Sequence, residues 1–364
     1  MKKLVSILLT LALAVSLSLV AVTPAAADTD RLVPSEYATI QLAIDAASDG
    51  DTIIVASGTY EEEVKITDKS LTLLGAQADV PIVNGEREGE ESVIRGKGTG
   101  PRYPYSWCVV RIQNSNVVVN GFTIENGQRA IAIQGSSIRR EGISDILISY
   151  NYIEESGKDG IFRDNAAADV TITHNYIASN PRGIATNGGA TTITDNTFYG
   201  NGKGIDFNGG DPYSVYFPDY AEPKYPTIIS DNTFTNDSTS ITLRLDKCHQ
   251  SITVTGNDIT EARSVAIKTW NVYSEDIVNP GIHYNNIWNN EFGINNQVTE
   301  IGLDATNNWW GHASGPSGEY GRVNPAGKVI GKGDAVSDNV DWDPWLRMPV
   351  WTNPAGKPLP PERP

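Results

Sequence analysis

The sequence predicts an all-β fold: a single-stranded right-handed parallel β-helix, a solenoid of about ten coils, covered at its N-terminal end by a short helix. Three observations predict it. A phrase recurs between Ile146 and Trp310, in which a branched apolar residue, two polar ones, Asn and any residue lead to a large apolar one. It reads ILISYNYI, TITHNYI, TITDNTF, IISDNTF, TVTGNDI, GIHYNNI and LDATNNW. Its asparagines are Asn151, Asn175, Asn196, Asn232, Asn257, Asn285 and Asn307, with Asn120 of VVVNGF as an earlier member. From Asn120 onward they are separated by 31, 24, 21, 36, 25, 28 and 22 residues. A spacing near 21 with occasional excess describes a repeat that accepts insertions at its loops. The second observation is alternation: apolar residues stand three and five before the Asn, as Ile148 and Ile146 or Ile172 and Val170 do, with polar residues such as Thr between and after them, the period-2 signature of a strand with one buried face. The third is a further short strand after each Asn, often opened by Gly, in GIF, GIA, GID, SIT, AIK and GIN.

Taken in order, residues 1–27 form a leader: Lys2-Lys3, an apolar run from Leu4 to Val22, then Ala25-Ala26-Ala27. This is the pattern of a cleaved secretory signal, so Asp28 is the expected first mature residue and the mature chain is expected to be secreted, extracellular or periplasmic. No later apolar run is long enough to span a bilayer. Residues 28–346 are expected to be the β-helix domain. Within it, 33–50 should hold the covering helix, capped by Ser35 with Ile40, Ala43, Ile44 and Ala47 as its apolar stripe, because an open solenoid end needs cover. Strands follow at Thr52–Ala56, Val64–Ile66 and Leu71–Leu74. Residues 307–346 should close the other end with Trp309, Trp310, Trp342 and Trp345. Asp334, Asp338, Asp341 and Asp343 lie among them without the spacing of a calcium-binding EF-hand loop. Residues 347–364 form a Pro-rich tail.

Stacking such coils in register piles the apolar residues into ladders, and the asparagines into a ladder whose amides bond one coil to the next. A structural role for these asparagines follows. Cys108 and Cys248 lie 140 residues apart, several coils at about 4.8 Å each, which is beyond disulfide reach; both should be unpaired and buried. The formal net charge of −16 becomes −18 once Lys2 and Lys3 leave with the leader. Nucleic acid is thereby excluded as a partner, and polyanionic glycans are disfavoured unless cations bridge them. A monomer is expected.

The run TIQLAIDAASDGDTIIVASGTYEEEV resembles the N-terminal segment of pectin-lyase-like β-helix proteins, including pectin methylesterases and the NosD-like group. VVVNGFTIENG resembles the next coils, and NNWWGHASGPSG followed by DAVSDNVDWDPWL resembles the closing segment of secreted right-handed β-helix repeat proteins. The resemblance covers roughly 33–346 and implies the fold together with an extracellular carbohydrate-related role. It transfers no activity. The esterase signatures are missing, with only Asp206-Phe207-Asn208-Gly209 near one of them. The Asp-Asp doublet and Gly-His-Gly of polygalacturonases are absent too. Four histidines and two methionines are a poor supply for the copper that the NosD name implies.

Function on such a scaffold belongs to insertions and outer faces. Insertions are expected at 85–107 (with Tyr103, Tyr105 and Trp107), at 209–226 and at 271–280 (with Tyr273, Glu275 and Asp276). The second carries Tyr213, Tyr216, Phe217, Tyr220 and Tyr225, whose flat rings suit a sugar; packed on the helix side, they would bury one another instead. If the Ile of each GIF-type strand points inward, the next residue points out: Phe162, Ala185, Asp206, Thr242, Lys268, Asn295. A second outward row is Asp164, Asn187, Asn208, Arg244, Trp270 and Gln297. Asp206, Arg244 and Lys268 are the candidate catalytic residues, and Asp164, Asn187, Asn208, Trp270, Tyr213, Tyr216 and Tyr220 the candidate substrate-binding ones. Three functions stay open. One is a protein that binds extracellular or cell-surface polysaccharide. Another is a polysaccharide lyase or other carbohydrate-active enzyme, with Arg244 or Lys268 as base and Asp206 and Asp164 holding Ca²⁺. The third is an adhesin-like structural solenoid. The plainest reading of the face is an ion-paired one, with Asp206 neutralised by Arg244 and Lys268.

Overall fold

A computed structural model describes residues 29–98, 107–135, 142–164, 167, 169–188, 190–209, 226–246, 251–272, 277–318 and 331–350. Residues 1–28, where the leader is expected, Cys248, the rings of Tyr213, Tyr216 and Tyr220, residues 273–276 and the residues beyond Val350 lie outside the described residues. Among those described, three parallel sheets of ten, eleven and nine strands wind around one core. Sheet A runs from Asp30–Val33 to Gly281–His283, sheet B from Gly58–Tyr60 to Asn286–Trp288, and sheet C from Val64–Ile66 through Ile294–Asn296 and Gly333–Val336 to Pro316–Gly318. Each coil takes one strand from each sheet in turn, as Val170–Thr173, Tyr176–Ala178 and Arg182–Asn187 do.

Period-2 alternation sets inside and outside. Ile148, Ile172, Ile193, Ile229, Val254 and Ile282 stack along sheet A, each fully buried. Ile161, Ile184, Ile205, Ile241, Ile267 and Ile294 do the same along sheet C. In sheet B, Phe198 and Phe234 continue the aliphatic row as stacked rings 4.5 Å apart. Burying one such side chain is worth about 1.5–3 kcal/mol, so the ladders supply most of the stabilisation.

Corners are made by single residues with left-handed backbone, each placed just before a ladder position. Between sheets A and B these are Tyr150, His174, Asp195, Asp231, Gly256, Tyr284 and Asn307, with φ between 54° and 69°. The rungs that follow are Asn151, Asn175, Asn196, Asn232, Asn257, Asn285 and Asn308. Asn196 is typical: its N–H donates to Asn232 Oδ1 at 3.0 Å, and its Nδ2 donates to Ile172 O at 2.8 Å and Thr194 O at 2.9 Å.

The ladder differs from the sequence reading at both ends. The last rung is Asn308, fully buried, and Asn307 is the corner before it, because Leu303 and Ala305 are the inward residues five and three earlier. Trp310, not Trp309, therefore enters the core. At the other end Asn120 pairs with Ser149, Phe122 takes the ladder position and its N–H donates to Asn151 Oδ1 at 3.1 Å.

The covering helix is Ile40–Ala46, shorter than the sequence indicated, and its cap is Thr39 rather than Ser35. Thr39 Oγ1 accepts from Leu42 N–H at 3.1 Å, while the Glu62 carboxylate accepts the N–H groups of Ile40 and Gln41 at 2.9 and 3.0 Å. A carboxylate at a helix N-terminus satisfies free donors and meets the positive end of the helix dipole. At the C-terminal end Trp310 and Trp342 are buried, and Trp345 packs edge-on against Trp342 at 5.4 Å. Cys108 is a buried free thiol. Among the described residues no helix is long and apolar enough to cross a membrane.

Candidate functional site

The outer face of sheet C gathers the charged and aromatic residues. Strand register places Phe162, Ala185, Asp206, Thr242, Lys268 and Asn295 in one row across six coils. It places Asn187, Asn208, Arg244 and Trp270 in the next row, toward the corner with sheet A. Asp164 stands at the near end of that row, where its Oδ1 accepts from Gly135 N–H at 3.2 Å. Parallel strands of equivalent coils stack about 4.8 Å apart, so each row is a continuous strip.

A third row completes the face: Arg129, Asp159, Arg182, Lys203 and Thr239. Its charged groups are closely paired with the acids of this face. Asp159, fully buried, takes Arg129 at 2.8 Å and Arg182 at 2.6 Å. Arg182 reaches on to Asp206 at 3.2 Å, and Lys203 meets the other Asp206 oxygen at 2.8 Å. Burial opposes the charge on Arg182, but Asp159 and Asp206 outweigh it and raise its pKa. Arg129 also lies over the Phe162 ring, 3.9 Å from its centre. Asp206 is thus neutralised by Arg182 and Lys203, and the sequence expectation of Arg244 and Lys268 as its partners is corrected. Position explains the difference: Lys203 is on the same strand as Asp206 and Arg182 one coil away, whereas Lys268 lies two coils off and Arg244 is held by Asp246.

Arg244 has its own partner. Asp246, fully buried, accepts Nε at 2.9 Å and Nη2 at 2.7 Å in a two-pronged pair, and also accepts the N–H of Val272 at 3.0 Å. Burial raises the Asp246 pKa, yet these bonds outweigh it and hold the carboxyl below its ordinary range. Arg244 Nη1 donates to Asn208 Oδ1 at 3.1 Å, and its guanidinium lies 5.6 Å from the centre of the Trp270 ring. Clamped this way Arg244 is a fixed cation and donor, not a proton acceptor. The Lys268 ammonium, by contrast, makes no hydrogen bond or ion pair among the described residues.

Asp206, Arg244 and Lys268 therefore share a face without touching one another. Sequence reasoning missed Asp159, Arg182, Lys203 and Asp246. The first three were accessible, since each stands immediately before the Gly of a GIF-type strand. Asp246 carried no periodic signal, because it lies just beyond its strand. Among the described residues no group of three or more His, Cys, Asp or Glu side chains is placed to hold a metal ion, and both oxygens of Asp206 are engaged by cations.

Comparison with known proteins follows from this geometry. Residues 108–279 match the family described as right handed beta helix region. No curated protein matches the chain. Among solved structures, an alginate lyase from Paenibacillus sp. str. FPU-7 aligns with a TM-score of 0.43 at 14% identity, over 86% of this chain and 99% of that one. The tailspike protein gp49 of Acinetobacter baumannii bacteriophage Fri1, a capsular polysaccharide depolymerase, aligns with a TM-score of 0.40 at 8% identity, over 77% of this chain and 51% of that one.

Proposed function

Taking the chain as a right-handed parallel β-helix repeat protein, we propose that it binds an acidic polysaccharide along the outer face of sheet C. One observation carries the proposal: Lys268, an ammonium without a partner among the described residues, stands beside the clamped Arg244 and the Trp270 ring. On the strands of this sheet the outward cations are Lys65, Arg111, Arg129, Arg182, Lys203, Arg244 and Lys268, against Asp159 and Asp206 on those strands and Asp164 and Asp246 just beyond them. A chain of net charge −16 thus gathers positive charge on one strip. The disfavour toward polyanions read from total charge does not extend to this face, because short-range pairing outweighs distant charge beyond about 8–10 Å of screened water. In this reading a carboxylate of the glycan sits at Lys268 and a sugar ring lies on Trp270. The Asn187 and Asn208 amides take hydroxyl groups.

The leader sequence supports export of the mature chain, where such a glycan would be met. Titration of a uronate polymer and of a neutral glucan, followed by calorimetry, tests the proposal. Saturable binding of the uronate polymer that falls roughly tenfold in Trp270→Ala and in Lys268→Ala, and weakens with salt, is the expected result. Equal affinity for both polymers, or uronate binding unchanged in both variants, overturns it.

A further inference from the structure

A second ladder climbs the corner between sheets B and C, and two of its positions hold acids where others hold amides. Its corner residues are Glu155, Ser179, Gly200, Asn236, Glu261 and Asn289, again left-handed. Its rungs include Asn180, Asn201, Asp237, Asn290 and Asp334. Every amide rung uses Nδ2 in one way, donating to a carbonyl of the preceding coil three residues before that coil's own rung. Asn180 donates to Ile153 O at 3.3 Å, Asn201 to Ile177 O at 2.9 Å and Asn290 to Ile259 O at 2.9 Å.

Asp237 follows Asn201 in this stack. Its Oδ1 accepts Asn201 N–H at 2.7 Å and Asn201 Nδ2 at 3.0 Å, the acceptor role of any rung. Its Oδ2 stands where an amide would carry nitrogen, and the equivalent carbonyl is that of Phe198. Oxygen facing carbonyl oxygen makes no bond, and Oδ2 is buried without a partner in a side chain that is fully enclosed. The next coil places Ala262 at the ladder position and offers no side-chain donor. A buried polar atom of this kind is costly unless a hydrogen completes it.

We propose that Asp237 is held as the neutral acid, its Oδ2 proton donated to the Phe198 carbonyl, so that the second ladder is a proton-dependent lock on the corner leading into Lys203–Asn208 and Thr239–Arg244. Those two strands carry Asp206, Asn208 and Arg244, which ties the lock to the face described above. The surroundings agree. Burial pushes the carboxyl up to about 7, against the bonds from Asn201 and the charge of Arg263. Arg263, in the next coil, is the charged residue bearing on it; its backbone N–H donates to Asp237 O at 2.9 Å and its Nη2 to Asn201 O at 3.5 Å. Lys203, beside the close-packed Gly204, has its ammonium on Asp206. At the C-terminal end Asp334 Oδ2 accepts both Asn290 N–H and Nδ2, at 3.0 and 2.7 Å, and burial pushes that carboxyl up to about 6.

The sign follows from linkage. The unfolded chain releases the Asp237 proton near 3.8 and the folded chain near 7, so the folded state binds more protons between these values. Stability from this group is complete below the lower value, falls as pH rises to the upper one, and is flat beyond it. The test is urea denaturation of the full chain and of Asp237→Asn from about pH 4 to 9. The wild-type midpoint should fall with rising pH. The variant, whose amide supplies a permanent donor, should lose most of that slope and exceed wild type on the alkaline side. Infrared difference spectra between the two proteins should show a protonated carboxyl at acid pH that vanishes above the transition. An unchanged slope in Asp237→Asn, a variant less stable than wild type at alkaline pH, or the absence of a protonated carboxyl band overturns the proposal.

Discussion

Replacing Asn308 or Asn307 distinguishes the ladder register directly. The Asn308 side chain is fully buried; Nδ2 donates to Ile282 O at 2.7 Å and Ala305 O at 2.8 Å, while Oδ1 accepts Asn285 N–H at 2.8 Å and Asn285 Nδ2 at 3.0 Å. Asn308→Ala removes these bonds and leaves two carbonyls and the Asn285 N–H in a dry corner. Each orphaned group costs about 1–3 kcal/mol, partly relieved by relaxation, so the expected loss is roughly 3–5 kcal/mol. Asn307 is half-buried, its side chain donates to Thr306 Oγ1 at 3.3 Å, and its φ is 59°. Glycine adopts that backbone freely, so Asn307→Gly should cost less than about 1 kcal/mol. Urea unfolding followed by tryptophan fluorescence reads the difference, because Trp310 lies buried two residues beyond Asn308. Since a solenoid end can open locally, exchange protection of the Asn285 amide gives a second readout and should collapse in Asn308→Ala alone. If Asn307→Gly destabilises as much as Asn308→Ala, the register and the reasoning on corners are wrong.

Two further substitutions probe the face and its support. A Cβ on Gly204 would meet Ser240 O at 2.6 Å and the Phe234 ring at 2.9 Å, so Gly204→Ala should cost about 3 kcal/mol or more in denaturant unfolding; a neutral result would mean that the corner has room. Asp246→Asn takes the counter-charge from Arg244, whose side chain is only 13% exposed. It should destabilise by about 2–4 kcal/mol and weaken uronate binding, with Arg244→Met recovering part of the stability in the double variant.

Much of the face was legible before any coordinates. Each strand of sheet C pairs with its counterpart one coil on, so aligning the GIF-type triplets was enough to order Asp206 with Lys268, and Asn208 with Arg244 and Trp270. The same alignment contained the row of Asp159, Arg182 and Lys203, one residue before each Gly, but it could not say that these side chains would reach across to Asp206. The double Asn at 307–308 invites a slip of one residue as a string, although Leu303 and Ala305, five and three before Asn308, already favour Asn308 by the alternation rule. The burial of Leu303 and Ala305 in the core bears that register out. Asp237 reads in the sequence as a turn residue, in the run Asn236-Asp237-Ser238.

By itself the sequence determined the strands, the inward and outward faces, the closing elements and the order of the coils. These depend on alternation and on repeat spacing, which are properties of neighbours along the chain and of equivalent positions one repeat apart. The tertiary structure alone decided which carboxylate meets which cation, and that Asp237 stands where an amide should. Those outcomes turn on side-chain reach and on water exclusion between coils. The pairing energy of a charge and the ionisation of an acid depend on the distances and dielectric around them, and neither exists until the coils are stacked.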